Sequence, residues 1–259
     1  MHLKDFIVPD GSYYVAASKV ISELNLNEGL QKLTSVIKKT SKTRVIWDNP
    51  NLDTTFTNYA NSLLPSVTHK AYETNFFEIK RTQVQSLTTE NSLLDLNQYS
   101  QKFGIKETTI TDIDIIKDFM FSSFGVKFKL ENEKTITLAD DSKRTRIMEG
   151  LSLSLQNPLV KGYLIHTEDC VPCGFFALAN LGDDVELHSV AGLSSYPPVA
   201  GVRKLQLIMA ATLQIFEKDS DYTDCLTLTF SNSKEKVTQM YKDLGFLLSN
   251  TRKGLIFEI

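Results

Sequence analysis

Hydrophobic positions along the chain recur with two periods, and their order is clearest after Gly104. Residues 105–110 alternate in the manner of a strand. Thr111-Asp112 has the form of a helix N-cap and is followed by Ile113, Ile116, Phe119 and Met120 on one helical face. A second helix is predicted from Asp141 or Ser142, with Ile147, Met148, Leu151 and Leu155 inward and Asn157-Pro158 as its stop. Residues 160–166 and 174–181 read as strands joined by a turn at 167–173. Gly182-Asp183-Asp184 turns the chain into a third strand, 185–193. A long helix follows, in which Leu205, Ile208, Met209, Thr212, Leu213 and Phe216 lie three and four apart. The end of the chain reads as a strand at 225–230, a helix at 235–244 and a terminal strand at 255–259. From residue 105 the predicted order is therefore strand, helix, helix, three antiparallel strands, loop, helix, strand, helix and two strands.

The first hundred residues are patterned more loosely. Ala16, Val20, Ile21 and Leu24 have helical spacing. So do Leu30, Leu33, Val36 and Ile37, which close on Lys38, Lys39 and Lys42, where cations suit the negative end of a helix dipole. A strand at 44–47, a turn at Asp48-Asn49-Pro50-Asn51, a helix carrying Phe56, Tyr59, Leu63 and Leu64, and a strand at 75–80 complete the block. Its order, strand, Asn-containing turn, helix and FFEI, parallels the order at the chain's end. It reads either as a degenerate first copy of one unit or as chance recurrence of a common α/β order. Residues 81–103 are polar and contain neither Gly nor Pro, so they read as a connecting arm with a short helix at 93–99. The expected division is a smaller N-terminal α/β lobe, 1–103, and a second lobe, 104–259, of mixed α+β class.

The totals narrow the function. With 259 residues, 42% hydrophobic, 23% charged and a formal net charge of -3, the chain can bury a core in each lobe. Its near-neutral balance gives no footprint for nucleic acid or for an anionic membrane. No apolar run reaches the roughly 18 residues that a membrane-spanning helix needs. The opening MHLKDFIVPDG lacks the apolar segment of a signal peptide, and three cysteines make no disulfide framework. A cytoplasmic protein is expected, with export by a route needing no cleavable signal left open.

The stretch 185–216 combines a strand, a loop with Pro197, Pro198 and Gly201, and a long helix. Such a loop can aim backbone N–H groups and the positive end of a helix dipole at an anion. Near the chain's end, KVTQMYKDLGF places Val237, Tyr241, Gly245 and Phe246 at the spacing small residue, Tyr four later, then Gly-Phe. Together with the element order, these residues resemble the GNAT superfamily of N-acetyltransferases over about 105–259. The resemblance implies acetyl-CoA as acyl donor, no metal, and direct attack by the amine of a small molecule or of a peptide or protein. It also implies Tyr241 as the acid for the leaving thiolate, and Glu186 and His188 on the central strand as base or base relay. The backbone of Val190, Ala191, Gly192 and Leu193 would polarise the carbonyl and pair with the pantetheine arm. The pyrophosphate would fall to Ala200, Gly201, Val202, Arg203 and Lys204, with Asn232 nearby. A homodimer is left open.

The cofactor loop departs from the family pattern. Pro197 falls where the family has Arg or Gln, Ala200 and Val202 fall at its two small positions, and Lys234 replaces an Asn seven residues before the Tyr. Both prolines lack an N–H to donate, whereas Arg203 and Lys204 bring charge to the first helical turn. An inactive GNAT-like binding or regulatory module is therefore the alternative to an enzyme. Cys170 and Cys173 form a C-x-x-C with His166 just before it, but the pattern falls short of the four ligands of structural zinc and reads as a tight turn, with a redox pair as a third reading. Phe119, Phe121, Phe124 and Phe128 read as core or as the wall of an acceptor cleft.

Overall fold

A computed structural model describes residues 4–7, 13–16, 44–48, 68–89, 103–124, 126–129, 135–138, 141–180, 185–191, 204–231 and 235–258. The elements are β1 Lys4–Ile7, β2 Tyr13–Ala16, β3 Arg44–Asp48, β4 Thr68–Lys80, α1 Arg81–Thr89, β5 Phe103–Glu107, a 3-10 turn Ile110–Asp112, α2 Ile113–Phe124, β6 Val126–Lys129 and β7 Thr135–Leu138. They continue as α3 Asp141–Ser154, β8 Val160–Thr167, β9 Pro172–Asn180, β10 Val185–Ala191, α4 Lys204–Lys218, β11 Cys225–Ser231, α5 Glu235–Asp243 and β12 Leu247–Glu258. The protein is of mixed α+β class. Ten strands form one sheet in the order β1-β2-β3-β12-β4-β11-β10-β9-β8-β5, and β6 and β7 make a separate hairpin.

The sheet is covered on both faces, and the sequence of β9 records this. Cys173–Ala179 are buried without a break, because alternate side chains enter different cores. Phe176 and Leu178 join α4 and α5 through Ile208, Leu213, Phe216, Tyr241 and Leu244. Phe175, Ala177 and Ala179 join α2 and α3 through Ile116, Phe119, Met120, Ile147 and Leu151. Phe119 is thus core, and half-buried Phe121 packs beside it. Gly162 on β8 marks a close approach: a Cβ there would lie 2.5 Å from Thr108 Oγ1 and 3.0 Å from Leu155 Cδ2.

The two halves of the chain interleave. β4, from the first block, lies between β11 and β12, pairing antiparallel with both. Arg81, where β4 passes into α1, then reaches the end of α4. Its guanidinium donates to the carbonyls of Phe216, Glu217 (2.8 Å), Asp219 (3.1 Å), Tyr222 (2.7 Å) and Thr223 (3.2 Å), and lies 4.8 Å from the Phe216 ring centre. A helix C-terminus leaves its last carbonyls unpaired and carries negative partial charge, so one cation satisfies both needs.

Several expected elements differ in the structure. Ala16 ends a strand paired with Lys4–Ile7 rather than opening a helix, and the remainder of that predicted helix lies outside the described residues. The strand expected at 75–80 begins at Thr68, and the arm expected from 81 opens as α1, while 93–99 are outside the described residues. The cap before α2 is Thr109 rather than Thr111-Asp112, with Asp112 as the returning partner of a capping box. A hairpin, β6–β7, intervenes between α2 and α3, and the last strand runs from Leu247 as one piece. Antiparallel pairing along β4 lengthens β12, a constraint that no local pattern carries.

Candidate functional site

The sheet divides between β10 and β11. These strands are parallel and, among the described residues, pair at two registers, Val185↔Leu226 and Glu186↔Thr227. At that point the buried Thr227 Oγ1 donates to Val185 O at 3.3 Å. Beyond it each strand stays with its other neighbour. β11 remains paired with β4 through Ser231↔Thr74, and β10 remains with β9 through His188↔Ala177 and, after a bulge, Ala191↔Phe175. Three steps along β10 match two along β9, so one extra residue re-aims β10 where its pairing with β11 has ended. Between the carboxyl ends of two parallel strands lies a fork whose inner edges carry main-chain groups not used by the other strand. Crevices at such strand ends are where open α/β sheets bind ligands, and an extended ligand can pair with an exposed edge.

The expected site residues are arranged around this fork to different extents. Glu186 stands at the last paired register, and His188, two along, shares its strand face just before the bulge. Val190 and Ala191 follow, at the strand's end. Lys204 is the first residue of α4, the helix that follows β10. Gly192, Leu193, Ala200, Gly201, Val202, Arg203 and Asn232 lie outside the described residues.

Tyr241 is buried on the inner face of α5, 5% exposed. Its ring lies 5.6 Å from that of Phe77 and 5.8 Å, edge-on, from that of Phe246. Phe77 pairs with Leu228, the residue after Thr227, so Tyr241 packs over the row where the fork begins. The Tyr-Gly-Phe spacing has a local cause. Gly245 adopts φ 85, the Phe246 N–H reaches Tyr241 O at 3.0 Å, and the Gly245 N–H reaches Lys242 O at 2.9 Å. This is a Schellman helix end whose accompanying apolar contact is Tyr241 on Phe246. Burial pushes the Tyr241 phenol up to about 12, so it holds its proton at neutral pH.

Two residues were not singled out by sequence reasoning. Phe77 backs Tyr241 from the first block, and Thr227 ties the closed end of the fork. Thr227 is visible only as one hydroxyl in the alternation CLTLTF, which gives no sign of its partner. The C-x-x-C residues separate: Cys170 is exposed at φ 59, while Cys173 is buried, donates its S–H to Ile165 O at 3.4 Å and is pushed up to about 11 by burial. Among the described residues, no group of His, Cys, Asp and Glu is placed to hold a metal ion. Nor is any described helix long and apolar enough to cross a membrane.

The mixed sheet, the fork between its parallel strands and the helices covering both faces define a GNAT-like fold. Solved structures of the same fold include a functionally unknown conserved protein from Staphylococcus epidermidis, with TM-score 0.54 and 11% identity over 100% of this chain and 92% of that one. A tandem GNAT protein from the clavulanic acid biosynthesis pathway matches with TM-score 0.52 and 7% identity, over 96% of this chain and 75% of that one. A GCN5-related N-acetyltransferase from Kribbella flavida matches with TM-score 0.51 and 13% identity, over 95% and 80%. No protein-family model matches the sequence, and no curated protein sequence does.

Proposed function

We propose that the chain is an acetyl-CoA-dependent N-acyltransferase whose acceptor is an amine of a small molecule or of a peptide. The observation that carries this reading is the fork, where β10 loses β11 as a partner after Glu186 and offers a free edge. The pantetheine arm adds to that edge as a strand does, and an N–H within Val190, Ala191, Gly192 and Leu193 donates to the thioester oxygen. The pyrophosphate falls to Ala200, Gly201 and Val202, which precede α4 in the chain, with charge from Arg203 and Lys204 and a further contact from Asn232. The amine nitrogen attacks the carbonyl carbon, the C–S bond breaks, and Tyr241 gives its proton to the departing thiolate. Glu186 and His188 take the proton that the amine releases. In this reading residues 104–259 carry the chemistry, while the block 1–103 supplies β4 and the Phe77 wall behind Tyr241. Calorimetric titration with acetyl-CoA and with coenzyme A tests the reading: binding with a micromolar constant is expected, and no heat at millimolar ligand rejects it.

The burial of Tyr241 between two phenylalanines favours a second reading, a binding module without turnover in which Tyr241 only packs α5. Acetyl transfer to a panel of amines and peptides separates the two. In the enzyme, Tyr241→Phe keeps acetyl-CoA affinity and loses about 10²-fold or more in rate, the scale of general acid catalysis. In the module no transfer occurs with either protein.

A further inference from the structure

The molecule has a second concave site, away from the fork. β5 is the last strand in the sheet order, and a pocket of about 550 Å³ lies where it meets the end of β8 and the following turn. That volume is within the range of small-molecule sites. Gly104 is in the pocket lining. It pairs with His166, so the two share a face, and Lys106, two residues along β5, shares it too. A Cβ added at Gly104 would meet nothing within 4 Å. The sequence thus leaves out a side chain beside an ammonium and an imidazole, while Phe103 and Ile105, which also border the pocket, turn their side chains to the opposite face and the core shared with α4.

We propose that this pocket binds a small organic monocarboxylate, its carboxylate between Lys106 and His166 and its body in the open space over Gly104. The charges select this class. Lys106 Nζ donates to Asp112 Oδ1 at 2.8 Å, and Asp112 Oδ2 accepts the Thr109 N–H at 2.9 Å. Asp112 is thereby satisfied: burial pushes its carboxyl upward, but Lys106 and the Thr109 N–H more than offset this and hold it below the usual carboxylate value. An ammonium has three donors, and Asp112 takes one. With its side chain 57% exposed, Lys106 can turn the others towards an anion. The Glu168 carboxylate, also in the lining, opposes a second negative charge, which disfavours phosphate and dicarboxylates.

Binding is coupled to a proton. Burial first, and then the Lys106 charge, hold the His166 imidazole below its ordinary value, against an opposing pull from Asp112. Among the described residues the groups facing it are Lys106, Asp112, Glu168 and Cys170. A carboxylate placed beside the ring favours the imidazolium, so affinity rises as pH falls through the His range.

Hexanoate and benzoate are the probes, titrated against the whole chain by calorimetry, with hexylamine and inorganic phosphate as counterparts. The two carboxylates are expected to bind more tightly at about pH 6 than at about pH 7.5, and to bind more tightly than either counterpart. Gly104→Leu fills the open space at this position and is expected to weaken them at least tenfold, about 1.4 kcal/mol, with the thermal midpoint kept. If that variant fails to fold, alkylation of exposed Cys170 in the pocket lining, followed by mass spectrometry on the unaltered protein, gives the second reading: hexanoate slows it. Preference for hexylamine, equal affinity in folded Gly104→Leu, or alkylation indifferent to hexanoate overturns the proposal. None of these outcomes bears on acetyl-CoA at the fork.

Discussion

At one end of β10 and β11, five main-chain carbonyls converge on the Arg81 guanidinium; at the other, beyond Thr227, the two strands do not pair with each other. The closed end is tied several times over. The Tyr163 and Tyr222 hydroxyls meet at 2.7 Å, Lys161 reaches Asp219 at 3.1 Å, and Asn180 Nδ2 donates to Asp221 O at 3.3 Å, all around the loop from α4 to β11. At the fork, Thr227 ties the strands through its bond to Val185 O. A sheet can part at one end and stay whole only if the other end is fixed. Here that fixing comes largely from β4 and Arg81, which belong to the first block of the chain.

The strongest way to break this arrangement is Arg81→Met. The substitution keeps a long apolar stem over Phe216 and removes every donor to the five carbonyls, leaving part-buried acceptors without their partner. A loss of roughly 2–4 kcal/mol is expected, from the cost of unsatisfied groups and of hydrogen bonds to a charged donor. Urea unfolding measures it. A midpoint unchanged within error would show that the guanidinium cluster does not hold the closed end.

Thr227→Val acts at the other end and is nearly isosteric, so it removes the hydroxyl that bonds Val185 O with little change of shape. Stability should fall by about 1 kcal/mol. The effect on acetyl-CoA affinity should be larger than this stability loss implies, because the tie sets where β10 and β11 part. An affinity that does not move while the urea midpoint does would limit Thr227 to a structural role.

How much of this was legible in the sequence differs between the two ends. The fork's strands and helices were readable because their patterns are local: the continuous apolar run of β9, the three-and-four spacing of α4, and Tyr241-Gly245-Phe246, which a single helix end explains. The closed end was not readable. Arg81 and its carbonyl partners are separated by more than 130 residues, and nothing in a polar stretch distinguishes a clamp from a linker. The site itself was legible in part. The strand that carries Glu186 and His188 follows from its hydrophobicity, but the parting of β10 from β11 depends on β4 pairing along the far side of β11. A one-residue bulge likewise leaves no mark in the pattern around His188.

Buried phenols at both ends give the finest comparison. Burial pushes Tyr163 at the closed end and Tyr241 beside the fork up to about 12 each, from an ordinary value of 10.0. A group whose pKa is raised on folding contributes stability that is fully present below its unfolded value. That contribution is lost as pH rises through the folded value, because the unfolded chain gives up the proton first. The protein should therefore hold constant stability towards these two groups up to about pH 10 and lose it between about 10 and 12. Tyr163→Phe and Tyr241→Phe should each flatten that decline by one group's share, as measured by urea midpoints across the range. Tyr163→Phe carries a further pH-independent loss of about 1 kcal/mol for its bond to Tyr222. If Tyr241→Phe leaves the alkaline slope as it was, the Tyr241 phenol is hydrated in solution, and the fork reaches further under α5 than its packing against Phe77 and Phe246 implies.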